Sequence, residues 1–189
     1  MSSAPDYARP ISGWRVWLVT DVEGKPRLAS LFYDTLWPVR RELVGECLAR
    51  RGRFQLLNRR AEAEGHALPG ERCGCGIYAA RELSTAINYL RSYGPRAVGK
   101  VERRPVLHRV LGRVLLWGRL VECEAGWRGA LAYPQCLFLP EQSRSGEPIR
   151  RLEADALSLA DYGIPIEILD GVGREEEISE ALRGRAAAA

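Results

Sequence analysis

Two apolar stretches near the middle of the chain decide the fold: VLHRVLGRVLLWGRLVE at residues 106–122 and GWRGALAYPQCLFLP at residues 126–140. Both are rich in aliphatic and aromatic side chains and alternate in the way that strands do. Only a short turn separates them, so they are predicted to form a long antiparallel hairpin. Gly112 and Gly118 interrupt the first strand and predict bulges or points of close approach, which would curve the sheet.

The flanking segments supply shorter elements of both kinds. Apolar runs and alternation predict strands, whereas apolar residues at three- and four-residue steps predict helices. Strands are expected at 13–20, 27–34, 76–80 and 164–169, and helices at 39–57, 83–94, 152–163 and 175–182. The fold class is therefore predicted to be α+β, with a curved and mostly antiparallel sheet (a small barrel or half-barrel) packed with two to four helices.

Length and composition indicate one globular domain with short additions. The 189 residues can bury a sizeable core, and their apolar and charged fractions are ordinary. We expect a disordered tail at residues 1–10, a main domain at 11–140 and a helix-strand-helix extension at 141–185 packed on it. Neither a secretory signal nor a membrane span is apparent, and an odd number of cysteines (five) argues against a disulfide framework. A cytoplasmic location is expected.

The segment HALPGERCGCGIYAA at residues 66–80 contains a candidate metal site. Zinc in proteins is held by thiolate sulfur and imidazole nitrogen, usually from four side chains. His66, Cys73 and Cys75 lie around a Pro-Gly turn, and Cys47 on the preceding segment completes a set of four. With four protein ligands such a zinc ion would be structural, because no coordination position is left for chemistry.

Two other interpretations of these residues are open. Cys47 and Cys75 can be small core residues, with His66 at the end of a helix, or the two cysteines of C-x-C can form a redox pair. For the metal interpretation, the backbone freedom of Gly74 is expected to help the two sulfurs of C-x-C converge. Cys123 and Cys136 lie in the predicted hairpin and are expected to be core residues.

Arginines are concentrated between residues 40 and 60, where seven of them face two glutamates. Such a basic helix face can neutralise phosphates, so nucleic acid is one expected partner. A solvated face with Arg–Glu pairs and an acidic protein partner are the alternatives. The acidic segment 141–180 would serve an assembly role, by contacting a basic partner or another copy. The seven residues are Arg40, Arg41, Arg50, Arg51, Arg53, Arg59 and Arg60.

The series of motifs resembles a family of small uncharacterised bacterial proteins. The pieces that carry the resemblance are ISGWRVW, HALPGERCGCGIYAA, GRVLLWGRLVE and GWRGALAYPQCLFLP, which together span most of residues 11–140. This resemblance implies no activity. In related sequences a His-Glu pair often follows the tryptophan-containing strand, and Cys123-Glu124 stands at that place here.

The segment GIYAARELSTAINYL resembles, more distantly, a strand and helix of ADP-ribosyltransferase-like folds. That resemblance implies an NAD-consuming enzyme in which Tyr78, Tyr89 and Tyr133 are the aromatic positions and Glu122 or Glu124 is the acid. Conventional catalytic motifs are absent from the sequence, so no catalytic residue is assigned. The first expectation is a zinc-stabilised binding module, with the transferase and an assembly protein as alternatives.

Overall fold

The computed structural model describes residues 9–32, 35–47, 66–92, 105–140, 149–169 and 175–186. These residues form seven strands and three α-helices, and a short 3₁₀ turn at Ala160–Tyr162 follows the second helix. The strands are β1 Ile11–Val22, β2 Lys25–Ser30, β3 Leu43–Val44, β4 Ile77–Ala80, β5 Val106–Cys123, β6 Gly126–Pro140 and β7 Ile166–Leu169. The helices are α1 Leu83–Ser92, α2 Ile149–Leu159 and α3 Glu175–Ala186.

The β5–β6 hairpin is the centre of a single sheet. The other edge of β5 pairs with β1, which in turn pairs with β2. The other edge of β6 meets three short partners in succession, β4, β3 and β7, of which only β7 is parallel. Because β4 also pairs with β1, through Trp14 and Ala80, the strands β1, β5, β6 and β4 form a ring. The predicted α+β class with a curved, mostly antiparallel sheet is confirmed.

The glycines of β5 lie at irregularities, as predicted. Register shifts occur between Arg113 and Val114 and again between Trp117 and Leu120, on either side of Gly118. A Cβ atom on Gly112 would lie 2.1 Å from the carbonyl oxygen of Cys136, so any larger residue would push β5 away from β6. The bulges increase the local twist, which lets two long strands bend around a core.

The alternation of β1 separates two hydrophobic clusters. Trp17 and Val19 face the inside of the ring, where Trp37 and Tyr162 also pack. Val16 and Leu18 face outward and are covered by apolar residues of α1 and α3. Leu159 of α2 joins the inner cluster, so the last third of the described chain shares the core of the first.

The helix predicted at 39–57 does not begin where the sequence pattern placed it. Val39 and Arg40 lie in a turn, and Leu43 and Val44 form β3, which pairs with Ala132 and Leu131 of β6. The edge of β6 between its β4 and β7 partners has free backbone hydrogen-bonding groups, which pair with β3. This pairing outweighs the helix preference that the spacing of the apolar residues indicates. Residues 48–65 lie outside the described residues.

The described helices are short. Within the described part of the chain, none has the length and apolar character that crossing a membrane requires.

Candidate metal centre

The four predicted ligands meet at one place, although they come from two separate segments of the chain. Cys47 follows β3, His66 opens the next described segment, and Cys73 and Cys75 precede β4. One donor atom from each residue lies within 4.8 Å of all the others. The four residues therefore form a cluster that could hold a metal ion, and Cys47 and Cys75 are its buried members.

Two of the separations within the cluster match those of ligands around one tetrahedral ion, and all of them are 4.8 Å or less. Two thiolates bound to zinc at about 2.3 Å lie about 3.8 Å apart, and a thiolate and an imidazole nitrogen lie about 3.6 Å apart. Cys47 Sγ lies 3.7 Å from Cys73 Sγ and 3.5 Å from His66 Nε2. All five cysteines are free thiols, so a disulfide does not explain these short distances.

The imidazole of His66 has the orientation that a ligand needs. Its Nδ1 lies 3.0 Å from the carbonyl oxygen of Ala67, which can only accept a hydrogen bond. Nδ1 therefore carries the proton, and Nε2 presents its lone pair to Cys47. Metal-binding histidines are commonly fixed in this way, by donating the second ring nitrogen to a carbonyl or carboxylate.

The turn between His66 and the cysteines is tightly packed. Gly70 donates its N–H to Cys75 Sγ at 3.2 Å, and its carbonyl accepts from the Cys73 N–H at 3.2 Å. A Cβ atom on Gly70 would lie 3.0 Å from His66 Nδ1 and 3.2 Å from Cys73 Cβ. Gly70 thus lets the imidazole and the thiol come together.

The role expected of Gly74 belongs instead to a neighbour. Gly74 does not have a positive φ, and a Cβ atom there would meet only the Tyr78 hydroxyl at 3.7 Å. Gly76 adopts a φ of 104°, and its added Cβ would lie 2.8 Å from Pro69 Cβ. The unusual backbone conformation therefore follows the C-x-C pair, where the chain enters β4.

Arg128 of β6 holds the ligand loop, and the sequence analysis did not identify it. Its buried guanidinium donates to the carbonyl oxygens of Gly70, Cys73 and Cys75, and its Nε donates to Cys123 Sγ at 3.2 Å. Burial lowers the pKa of Arg128, but the contact with Cys123 and nearby Tyr78 and Cys75 outweigh it, so its pKa is raised overall. The side chain stays charged beside a cluster that would hold three thiolates.

Arg119 of β5 supports the same loop from the rim. Its Nε donates to the carbonyl oxygen of Pro69 at 3.0 Å, and its Nη2 lies 3.7 Å from a carboxylate oxygen of Glu71. Two arginines from the central hairpin thus hold the segment that carries three of the four ligands.

The arginines proposed from the sequence are described only in part. Arg40 and Arg41 are exposed. Arg40 Nε donates a hydrogen bond to the carbonyl oxygen of Asp161 at 3.0 Å, so one donor of this guanidinium already has a partner inside the protein. The remaining five lie outside the described residues; they are Arg50, Arg51, Arg53, Arg59 and Arg60.

The residues of the transferase alternative are not gathered at one site. Tyr78 and Tyr89 line one groove. Tyr133 is not in its lining, and its hydroxyl donates to the carbonyl oxygen of Tyr162 at 2.7 Å. Glu122 is exposed and pairs with Arg81 at 2.5 Å. Glu124 is exposed as well.

The remaining cysteines lie outside the cluster. Cys123 and Cys136 are half-buried rather than fully in the core. Cys136 pairs in register with Arg113, and burial raises the pKa of the Cys136 thiol.

The second histidine of the chain, His108, is not part of the candidate metal cluster. His108 of β5 is buried, and its Nδ1 lies 3.1 Å from a carboxylate oxygen of Asp155 of α2. This contact joins α2 to the sheet.

Comparison of the chain with protein-family models, with curated proteins and with solved structures gives no match.

Proposed function

We propose that this protein is a binding module stabilised by one structural zinc ion at Cys47, His66, Cys73 and Cys75. The observation that carries the proposal is the convergence of three sulfurs and one imidazole nitrogen within 4.8 Å. Soft thiolate ligands favour zinc over magnesium or calcium, and a set of four protein ligands is typical of structural sites. The role of the ion is then to join the segments before and after residues 48–65 to β4 and β6.

The donor set requires reduced thiols. Zinc binds the thiolate form of cysteine, and oxidation of any pair would remove two ligands. This requirement favours a reducing compartment such as the cytoplasm.

The proposed partner is nucleic acid. Cys47 and His66 flank the segment 48–65, which contains five arginines and two glutamates. An ion bound to both residues would hold the two ends of this basic segment close together, since Cys47 Sγ lies 3.5 Å from His66 Nε2. Because the metal ion would already join the two ends of the segment in the free protein, less conformational entropy would be lost on binding nucleic acid. The arginines of the segment would supply the positive charge that phosphates attract.

Two measurements test the two parts of this proposal separately. Elemental analysis of the purified chain is expected to give one zinc per chain. Binding of labelled DNA and RNA oligonucleotides is then measured at several salt concentrations, and the affinity is expected to fall steeply as salt rises. Zinc without salt-dependent binding would overturn the partner only, whereas a metal-free protein that is fully folded would overturn the zinc site.

A matched pair of double variants localises the contact. Replacing Arg50 and Arg51 by glutamine is expected to reduce the slope of log affinity against log salt by about 1.4–1.8, since each phosphate contact contributes about 0.7–0.9. The control replaces Arg150 and Arg151, the adjacent pair in the acidic segment, and is expected to leave the slope unchanged. Equal effects of the two variants would mean that only net charge matters.

A further inference from the structure

A groove of about 490 Å³ opens where β1 and β4 separate. These two strands pair only through Trp14 and Ala80. Continuing the antiparallel register would bring Val16 opposite Tyr78, but no such pair forms. The volume lies within the range of about 300–1,000 Å³ that is typical of small-molecule sites.

The walls of the groove are rich in aromatic side chains. Tyr78 is 50% exposed, which is unusual for a large side chain on a strand of a closed ring. Flat aromatic faces provide large contact areas for planar apolar molecules at a low entropic cost. The aromatic residues of the lining are Trp14, Phe32, Tyr78, Tyr89 and Trp127.

Arg15 lies in the lining and is held in place from two sides. Its Nη1 donates to the carbonyl oxygen of Tyr78, an acceptor that a continued β1–β4 ladder would have used. Its Cζ lies 5.0 Å from the centre of the Trp37 ring, which supports one face of the guanidinium. Arg15 thus bridges the gap between the two strands at the groove.

The charge of Arg15 is incompletely satisfied. Among the residues that the structure describes, no carboxylate forms an ion pair with it, and its buried Nε has no hydrogen-bond partner. Burial lowers the pKa of Arg15 to about 10, so the side chain is still charged at neutral pH. Glu46 also belongs to the lining, but its side chain is exposed. Arg15 is half-buried, with its Nε inaccessible to solvent, and a partly desolvated cation without an anion is costly; an anionic ligand would offset part of that cost.

We propose that this groove binds a small molecule that carries a carboxylate or phosphate group on a planar apolar body. The oxyanion accepts a hydrogen bond from Arg15 Nη2, which the Tyr78 carbonyl leaves unused and which, unlike Nε, is not among the buried unpartnered atoms. The planar body lies against the aromatic walls. The site goes beyond the proposed function, because the contacts argued for the ligand come from Arg15 and the aromatic walls. The candidate metal ligand Cys75 only borders the groove.

Three related probes test the ligand class on the full, zinc-loaded chain. Benzoate and phenyl phosphate carry the two oxyanions, and benzamide is a neutral molecule of nearly the same shape as benzoate. Calorimetric titration is expected to show saturable binding of one or both anions, at least about tenfold tighter than benzamide. The anion that binds more tightly shows whether the groove prefers a carboxylate or a phosphate group. Absence of saturable anion binding, or equal binding of benzamide, would overturn the proposal.

Two variants locate the binding and one serves as a control. Arg15→Gln is expected to weaken anion binding about tenfold or more while leaving the weak binding of benzamide unchanged. Thr85→Phe, on the α1 side of the lining, is expected to weaken binding of all three probes by filling the groove. Arg27→Gln removes an arginine that pairs with Asp161 outside the groove and is expected to change nothing. Circular dichroism checks that each variant is folded, and unchanged anion binding by folded Arg15→Gln and Thr85→Phe proteins would refute the site.

Discussion

Arg128 Nη1 lies 3.0 Å from the carbonyl oxygen of Cys75, so a side chain of β6 holds the backbone of a candidate metal ligand on another segment. The same guanidinium reaches the carbonyl oxygens of Gly70 and Cys73. The loop therefore has two sources of order, the arginine and the ion, and their contributions can be separated by substitution.

Replacing Arg128 by methionine is expected to lower the free energy of unfolding by about 3 kcal/mol, because several buried carbonyl oxygens lose their donor. Zinc affinity is expected to fall about 10- to 100-fold, as when other groups that orient ligands are removed. Urea denaturation and competition with a chromophoric chelator measure the two effects. Arg119→Met, on the more exposed arginine of the same loop, is the control and should cost about 1 kcal/mol or less. Equal losses for both variants would contradict the central position given to Arg128.

Replacing Cys47 by alanine is expected to abolish stoichiometric zinc and to lower the free energy of unfolding by about 3 kcal/mol or more. A chelator should destabilise the wild type to the same extent and leave the variant unaffected. Cys136→Ala, which removes a half-buried thiol outside the cluster, should keep one zinc per chain. Thermal unfolding with and without chelator provides the comparison, and a chelator effect that persists in Cys47→Ala would count against this ligand.

Two glycines of the ligand loop should respond differently to the same added methyl group. Gly70→Ala places a Cβ against the ring of His66 and should weaken Co²⁺ binding and alter its visible absorption spectrum. In Gly74→Ala the added Cβ would lie 3.7 Å from the Tyr78 hydroxyl, an ordinary van der Waals distance, so this variant should bind Co²⁺ like the wild type. Titration of the apoprotein with Co²⁺ tests both variants, and a stronger effect at Gly74 would show that the loop is arranged differently.

Stability at high pH should depend on Tyr162. Its hydroxyl donates to the Trp37 carbonyl at 2.9 Å and accepts from the Leu28 N–H, and burial raises its pKa. The neutral phenol is thus favoured in the folded state, so its contribution is complete below the unfolded pKa of about 10 and is lost as pH rises through the higher folded pKa. The difference in unfolding free energy between the wild type and Tyr162→Phe should shrink from pH 9 to pH 11.

Arg15 also titrates in this pH range, but its deprotonation has the opposite effect on stability. Its pKa is lowered to about 10, so deprotonation in the folded state relieves a cost as pH rises towards the unfolded pKa. Because Arg15 is present in both proteins, its contribution cancels when Tyr162→Phe is subtracted from the wild type. A difference that grows with pH would contradict the assignment to Tyr162.

The parts of the fold that the sequence predicts are those with a local signal. Alternating residues in 106–140 predict the hairpin, and Gly112 marks a close approach of β5 to β6. The turn at Pro69-Gly70 and the C-x-C spacing predict which side chains of that segment can converge. These features depend on the properties of adjacent residues, which are visible without a structure.

Other features depend on partners far away in the chain. Leu43 and Val44 form a strand only because β6 presents an unpaired edge, whereas their apolar spacing predicts a helix. Arg128 contacts carbonyl oxygens that are 53 to 58 residues earlier. Arg15 alternates with apolar residues on β1, and nothing local shows that it faces a gap between two strands. These arrangements follow from the packing of the ring rather than from sequence pattern.

The single residue pair that closes the ring has a mechanical consequence. Trp14 and Ala80 are the only register partners between β1 and β4, whereas the other junctions of the ring are ladders of several residues. Separating β1 from β4 would break few backbone hydrogen bonds, and the other strand pairs of the ring would stay intact. The groove beside Arg15 can therefore adjust to the size of an occupant at low elastic cost, while the candidate metal cluster and the hairpin keep their shape.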